Sequence, residues 1–129
     1  MTGGVATSPH RAFFDHMMGR IDALDPGGLA GSFTANGVFR LGNNPAVTGR
    51  PAIRDFGAGF FASIGGISHQ VENCWTVGED RAFCNGLVTY TRRDGSELTV
   101  PWSTVSHFDG DKLAEYFIYV DASELFSPS

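Results

Sequence analysis

The sequence predicts an α+β protein in which three N-terminal helices cover one face of a curved, mainly antiparallel sheet. Apolar residues recur every three to four positions up to residue 64 and every second position from residue 67 onward. Short polar turns separate the later runs, as in a meander of hairpins. With 129 residues and 42% hydrophobic side chains, the chain predicts a single domain over residues 1–129, with a core over about 9–122 and a tail over 123–129.

Three helices are predicted in the first half of the chain. The first follows Ser8-Pro9, a capping serine and a proline at the first helical position, and the second begins in the same way at Asp25-Pro26. The third begins at Pro51 and ends at Gly65-Gly66. The apolar stripes expected to face the sheet are Phe13, Met17, Ile21 and Leu24, then Leu29 and Phe33, then Ile53, Phe56, Phe60 and Ile64.

Five strands are predicted, one before the third helix and four after it. The early strand covers residues 38–41, follows an Asn36-Gly37 turn, precedes a loop over 42–49, and is expected to join the sheet at an edge. The later strands cover 67–77, 82–92, 97–108 and 112–121, separated by turns at Gly78-Glu79-Asp80, Asp94-Gly95 and Asp109-Gly110. A curved sheet closed by helices forms a cone, whose interior is either a pocket or a core filled by aromatic residues.

The charge balance argues against two classes of partner. The net charge is −5, and Lys112 is the only lysine beside eight arginines, so no basic stripe is available for nucleic acid or an anionic membrane. The N-terminus lacks the basic and apolar segments of a secretory signal, and no apolar run reaches the roughly 18 residues of a membrane helix. We therefore expect a cytoplasmic protein that binds neither nucleic acid nor membrane.

The cysteines and histidines give no sign of a metal or a covalent mechanism. Cys74 and Cys84 form neither a C-x-x-C motif nor a disulfide framework, and we expect reduced thiols with a structural role. His10 and His16 lie six positions apart on the first helix and would not share a face, so no metal site is predicted. No G-x-S-x-G motif is present. Any enzyme activity is expected to need no cofactor.

Seven short segments, in a fixed order, carry a resemblance to a known superfamily. They are IDALD (21–25), FTANGVF (33–39), TGRPAI (48–53), SHQVEN (68–73), VTYTRRDG (88–95), VPW (100–102) and EYFIYVD (115–121). Together they resemble the nuclear transport factor two-like superfamily, and within it the SnoaL-like branch with its polyketide cyclase, scytalone dehydratase-like and limonene epoxide hydrolase-like relatives. The resemblance implies the cone fold, also called cystatin-like. The activity must be argued from individual residues, since one such fold hosts many chemistries.

Two enzyme types of the superfamily match this chain poorly. Ketosteroid isomerases carry an aspartate base on the first strand, where Leu41 stands here, and a protonated carboxyl near Ser103 or Thr104. Isomerisation by that pair of carboxyl groups is therefore not expected. Limonene epoxide hydrolase-like members use an aspartate at the end of the last strand, which Asp121 matches, but their other two catalytic positions hold Leu87 and Thr89 here. Epoxide hydrolysis with Asp121 and a bound water stays an alternative.

A third type matches at the two positions that matter most. Scytalone dehydratase-like and dehydrochlorinase-like members use an aspartate closing the first helix and a histidine on the strand after the third helix, and Asp22 and His69 stand there, with Asn73 four residues on. Their helix tyrosines are replaced by Phe13, Phe14, Met17 and Met18. An aspartate that orients an imidazole lets the far ring nitrogen accept a proton. We predict a hydrogen bond of ~3.2 Å or less between the two side chains.

Strand alternation predicts which side chains surround this pair. Asp121 alternates with two aromatic residues of the last strand, so all three point the same way. If they point into the cone, Asp121 acts as a second acid–base group or a polar anchor, and if they point outward, it is a strand end in solvent. The residues expected to contact a substrate are Phe39 and Leu41, Trp102 and Thr104, and Phe117 and Tyr119.

The function predicted from these residues is general acid–base catalysis on a small apolar metabolite that carries a carbonyl group, of polyketide or terpenoid type. The reaction would be a cyclisation, an isomerisation or a dehydration, with His69 as the base and Asp22 as its orienting partner. A non-catalytic binding or dimerisation module is the alternative from another class. A homodimer is expected through the outer face of the sheet, because large side chains occur on both faces of the meander and exceed what the core needs. Those side chains are Val88, Tyr90, Val105, Phe108 and Ile118, and the sequence does not indicate which face Tyr90 and Arg92 share.

Overall fold

A six-stranded sheet forms the framework of the computed structural model, which describes residues 10–126. The helices are α1 (Arg11–Asp22), α2 (Pro26–Ala30) and α3 (Arg50–Ala62). The strands are β1 (Phe33–Leu41), β2 (Val47–Thr48), β3 (Gly66–Val77), β4 (Arg81–Thr91), β5 (Glu97–Asp109) and β6 (Lys112–Val120). The α+β class and the order of the predicted elements are confirmed. The Ser8-Pro9 start signal lies outside the described residues.

The strand order in the sheet is β2-β1-β6-β5-β4-β3. Strands β3 to β6 form the predicted antiparallel meander, whereas β1 pairs with β6 in parallel. The short β2, in the segment predicted to be a loop, pairs with β1 and occupies the edge expected for β1 itself. The sheet therefore joins the first and the last strand of the fold side by side.

Strand β1 begins earlier than the sequence pattern predicts. Helix α2 ends at Ala30, and Phe33 already belongs to the strand rather than to the helix. The Asn36-Gly37 pair is no turn but part of a register shift between Phe33 and Val38. A Cβ at Gly37 would lie 2.9 Å from the Phe33 side chain, so glycine is needed where that ring packs under the strand.

The helices pack on the concave face of the sheet. Helix α1 buries Phe14, Met17, Met18 and Ile21, so its buried face is rotated slightly from the predicted stripe. Helix α3 buries Ile53, Gly57 and Phe61. Phe56 and Phe60 of α3, which were expected in the core, are half-buried. Leu125, in the predicted tail, is fully buried. Within residues 10–126, no helix is both long and apolar enough to cross a bilayer.

The two cysteines form a disulfide, so the prediction of reduced thiols is wrong. Cys74 and Cys84 are direct neighbours across β3 and β4, with their Cα atoms 4.2 Å apart. The sequence held the signal for this pairing. Both cysteines lie five residues from Glu79, the centre of the predicted turn, and a hairpin that folds at that turn places them opposite each other.

Candidate functional site

The end of helix α1 determines the position of the Asp22 carboxylate. The helix stops at Asp22 because Leu24 takes a left-handed conformation with φ of 57°. The Leu24 amide donates to the Ile21 carbonyl at 2.8 Å, and the Asp25 amide donates to the Arg20 carbonyl at 3.1 Å. These two bonds are a Schellman closure, which normally favours glycine at the left-handed position. Asp22 is thus the last helical residue and faces the start of β3.

Asp22 holds His69 through both carboxylate oxygens. Its Oδ1 lies 2.7 Å from the His69 Nδ1, and its Oδ2 accepts a bond of 3.1 Å from the His69 backbone N–H. The predicted hydrogen bond is therefore present. Only 11% of the His69 side chain is exposed, against 30% for Asp22. A neutral ring that donates from Nδ1 to the carboxylate keeps a lone pair on Nε2, the nitrogen that can accept a proton.

His69 lines an apolar cavity between the helices and the sheet. All three helices and every described strand except β2 contribute to its walls. Four of the predicted contact residues, Phe39, Leu41, Trp102 and Thr104, lie there with His69. The space between the walls is about 550 Å³ including the part open to solvent, but the centre of a water molecule can reach only about 40 Å³ of it. The cavity is therefore narrow, with room for a few water molecules at these side-chain positions.

The two predicted contact residues on β6 point away from this cavity. Phe117 and Tyr119 lie on the outer face of the sheet, where the Arg40 guanidinium sits 4.7 Å from the Phe117 ring centre and donates to the Tyr119 hydroxyl at 3.1 Å. Tyr116 and Ile118 face the cavity instead. Both faces of β6 carry large apolar side chains. Alternation alone therefore predicted correctly that Phe117 and Tyr119 share a face, but not that this face points away from the cavity.

Asp121 also lies outside the cavity, so the inward orientation on which its predicted catalytic role depended is wrong. It follows the end of β6 at Val120 and is exposed to solvent. Hydrogen bonds from the Ser123 hydroxyl and amide hold the pKa of the Asp121 carboxyl below its usual value. An ionised carboxylate in this position neither touches His69 nor donates a proton to a molecule in the cavity. Epoxide hydrolysis by Asp121 loses its basis for the same reason.

Sequence reasoning missed two buried tyrosines on the cavity wall. Tyr90, whose face on β4 could not be assigned, points inward, while Arg92 reaches away to the Leu125 carbonyl. Burial raises the pKa of Tyr90 to about 12. Burial raises the pKa of Tyr116 as well, and the Thr104 hydroxyl beside it acts weakly in the opposite direction without completing a hydrogen bond of normal geometry. Both phenols therefore stay protonated at neutral pH.

Four buried polar atoms have no hydrogen-bond partner among the described residues. They are Trp102 Nε1, Thr104 Oγ1, Ser106 Oγ and Tyr116 OH. All of them except Ser106 Oγ belong to side chains that line the cavity. No three His, Cys, Asp or Glu side chains between residues 10 and 126 come close enough together to hold a metal ion.

Solved structures share this fold over nearly the whole chain. A protein from Catenulispora acidiphila with a ketosteroid isomerase-like fold, solved with trimethylamine, superposes with a TM-score of 0.83 at 18% identity, covering 92% of this chain and 91% of that one. TerC, co-crystallised with polyporic acid, gives 0.79 at 17% identity and covers 92% and 98%. A protein from Jannaschia sp. CCS1 assigned as a SnoaL-like polyketide cyclase gives 0.72 at 18% identity and covers 98% and 100%.

The sequence itself places the chain in a family. No curated protein sequence matches it. The family model described as the SnoaL-like domain matches residues 10–116, which includes every strand but the end of β6. This range also contains Asp22, His69 and every residue of the cavity wall except Ile118. The chain has the fold of the nuclear transport factor two-like proteins and belongs to the SnoaL-like domain family.

Proposed function

We propose that this protein is a cofactor-independent acid–base enzyme that acts on a small apolar molecule carrying a carbonyl group. The observation that carries the proposal is the 2.7 Å contact between Asp22 and His69 at the wall of an apolar cavity. A carboxylate at the C-terminal end of a helix opposes the helix dipole, which costs about 0.3–1 kcal/mol. Asp22 occupies this unfavourable position and binds His69 there, which supports a functional reason for the pair.

The chemistry follows from the imidazole. His69 Nε2 takes a proton from the carbon next to the carbonyl, and the electron pair of that C–H bond moves to the carbonyl oxygen as an enolate. The imidazolium is stabilised by Asp22 and then returns the proton. Return to a different carbon is an isomerisation, protonation of a departing hydroxyl is a dehydration, and attack of the enolate on a second carbonyl is a cyclisation. An apolar enclosure strengthens each of these electrostatic interactions.

The relatives support this class of reaction. The family includes polyketide cyclases and ketosteroid isomerases, which both work on carbonyl compounds. One similar structure is assigned as a polyketide cyclase and another holds polyporic acid. We place the substrate of this protein in the same broad group of polyketide or terpenoid metabolites, and the enzyme among the isomerases or lyases. A cytoplasmic location stays a prediction, and the Cys74–Cys84 disulfide counts against it because such bonds are rare in the cytosol.

Proton abstraction can be tested without the natural substrate. The protein is incubated in D₂O with the bicyclic ketone 1-indanone, and the loss of the proton signal next to the carbonyl is followed by NMR. We expect His69→Ala to slow this exchange by about 10²-fold or more. His107→Ala is the matched control, because His107 also pairs with a carboxylate, Asp80 at 3.2 Å, but lies on the outer face. Equal rates for wild type and His69→Ala would contradict the proposal.

A non-catalytic binding module is the second candidate function. The narrow cavity favours it, since only about 40 Å³ is open to the centre of a water molecule. Such a module would bind 1-indanone or a similar ketone without accelerating the exchange of its protons. The same experiment, run together with a binding measurement, therefore separates the two functions.

A further inference from the structure

Three side chains that line the cavity each carry a buried polar atom without a hydrogen-bond partner. Trp102 and Thr104 project inward from β5, two residues apart, and Tyr116 projects inward from the adjacent strand β6. In the pairing of these strands Thr104 is opposite Ile118 and Tyr116 is opposite the next inward residue of β5. The three side chains are 4%, 2% and 0% exposed.

Keeping these atoms unpartnered is unfavourable for the folded protein. A buried polar group without a hydrogen bond destabilises a fold by about 1–3 kcal/mol. Phenylalanine or valine would fill the same space without this loss. Three such groups in one cavity, beside the His69 imidazole, indicate that they meet a polar group which the protein itself does not provide.

The chemistry of the three groups defines what that polar group must be. An indole N–H only donates, and a phenol that keeps its proton also donates when it meets an acceptor. The Thr104 hydroxyl can donate or accept. Two fixed donors in the wall of one cavity select an acceptor, and a carbonyl or enolate oxygen is the acceptor that fits an otherwise apolar cavity.

We propose that Trp102 Nε1, Tyr116 OH and Thr104 Oγ1 form a subsite that binds one carbonyl or enolate oxygen of a compact apolar ligand. The subsite extends the proposed function, because the oxygen would be held beside His69. The Trp102 and His69 rings meet edge to face with their centres 5.8 Å apart, so donor and base adjoin. Binding through the subsite does not itself require catalysis.

The ligand enters past two phenylalanines. Phe56 and Phe60 of α3, together with Leu41, line both the inner cavity and a groove on the surface. The two rings are parallel, with centres 6.5 Å apart, and both side chains are half-buried. Their movement would widen the narrow cavity for a bicyclic ligand.

The test compares a ketone with a hydrocarbon of nearly the same size. The probes are 1-indanone and indane, which differ in the carbonyl group. The chain has two tryptophans, so its ¹⁵N–¹H spectrum contains two indole signals, and a Trp75→Phe variant identifies that of Trp102. We expect 1-indanone to move the Trp102 indole signal downfield, and indane to leave its proton shift almost unchanged.

Variants identify the atoms that bind the oxygen. Tyr116→Phe should weaken 1-indanone binding about fivefold and leave indane binding unchanged, the effect of one lost hydrogen bond. The same variant should be at least as stable as wild type, because it removes an unpartnered hydroxyl. Tyr119→Phe is the matched control, three residues along β6 on the outer face. If Tyr116→Phe does not fold, the isosteric Thr104→Val gives the same comparison.

The possible results separate this inference from the catalytic one. Equal responses to both probes, no binding of either, or unchanged 1-indanone affinity in the Tyr116 and Thr104 variants would overturn the subsite. Ketone-selective binding without proton exchange would leave the subsite standing and contradict the enzyme. His69→Ala should keep ketone-selective binding and lose only the exchange.

Discussion

At the scale of single residues, the site depends on one carboxylate bound at two points. Asp22 accepts from the ring and from the backbone of His69, so the orientation of the imidazole is tied to the position of β3. A hydrogen bond to a charged group is stronger than one between neutral groups. The pair is therefore fixed before any ligand arrives, as general-base catalysis requires.

Replacing Asp22 by Asn should disable the base while leaving the shape of the site intact. An amide can donate to Nδ1, which would move the ring proton to Nε2 and remove the lone pair that abstracts the substrate proton. We expect Asp22→Asn to slow 1-indanone exchange as much as His69→Ala or less. The double variant should be no slower than His69→Ala alone, because the two residues act as one unit. Multiplying losses in the double variant would show two independent roles.

Tyr90 gives the protein a specific loss of stability in alkali. Its pKa is about 12 in the folded protein, against about 10 for a tyrosine in an unfolded chain. Between these values the folded state binds the extra proton, so the free energy of unfolding falls as pH rises from about 10 to about 12. Tyr90→Phe should flatten this fall by up to about 1.4 kcal/mol per pH unit.

The measurement for Tyr90 is urea unfolding at a series of pH values. Wild type and Tyr90→Phe should show parallel pH dependence between pH 7 and 9, where neither state of Tyr90 ionises. Parallel curves above pH 10 as well would show that Tyr90 is not desolvated in the folded protein.

At the scale of elements, the approach of β4 to β3 depends on a glycine next to the site. The register between the two strands shifts between Val71 and Asn73, and Gly86 lies opposite this bulge. A Cβ at Gly86 would overlap the carbonyl oxygen of Gln70, the residue after His69. The bulge that follows His69 on β3 can form only where β4 has no side chain.

Gly86→Ala should therefore damage stability and activity together. The overlap is with backbone and cannot be relieved by a side-chain rotation, so we expect a loss of at least about 2 kcal/mol in the free energy of unfolding. Ketone exchange should fall with it as His69 is displaced. Gly19→Ala is the control, because nothing lies within 4 Å of its added methyl group on α1. That control should gain about 0.5–1 kcal/mol.

At the scale of the whole molecule, local signals predicted the fold and tertiary packing decided the site. Helix periods and hairpin turns are short-range features, so they fixed the element order. The Asp22–His69 pair came from the family resemblance. Neither the resemblance nor the sequence pattern indicated which face of β6 points into the cone, because Tyr116 and Phe117 are equally suited to the core. Unpartnered atoms in the cavity wall arise only when separate strands meet, which no pattern within one strand records.

The prediction of a homodimer depends on the apolar side chains of the outer face of the sheet. Of the five large side chains named for the two faces of the meander, Val105 points outward, and Val88, Tyr90, Phe108 and Ile118 belong to the interior. The outer face also carries four other apolar residues, which are Trp75, Phe83, Leu87 and Phe117. An apolar face of this extent favours association with a second copy. Light scattering should give about twice 13.8 kDa at micromolar concentration.

A charge placed in this face should separate the subunits. Leu87 lies near the middle of the outer face, so Leu87→Lys places a charge there. The control is Glu79→Lys, which introduces the same residue outside this face, in the exposed turn between β3 and β4. The first variant should become monomeric and the second should stay dimeric. A wild-type particle of 13.8 kDa would contradict the dimer directly.

The parallel pairing of β1 with β6 has a consequence for the order in which the protein folds during its synthesis. During translation the helices and β1 leave the ribosome long before β6, the long strand with which β1 pairs in the described sheet. The hairpins of β3 to β5 can form as they emerge, because their contacts are local. The pocket cannot close until residues 112–120 have been made, so a nascent chain lacking them holds Asp22 and His69 but no enclosed site between the helices and a completed sheet.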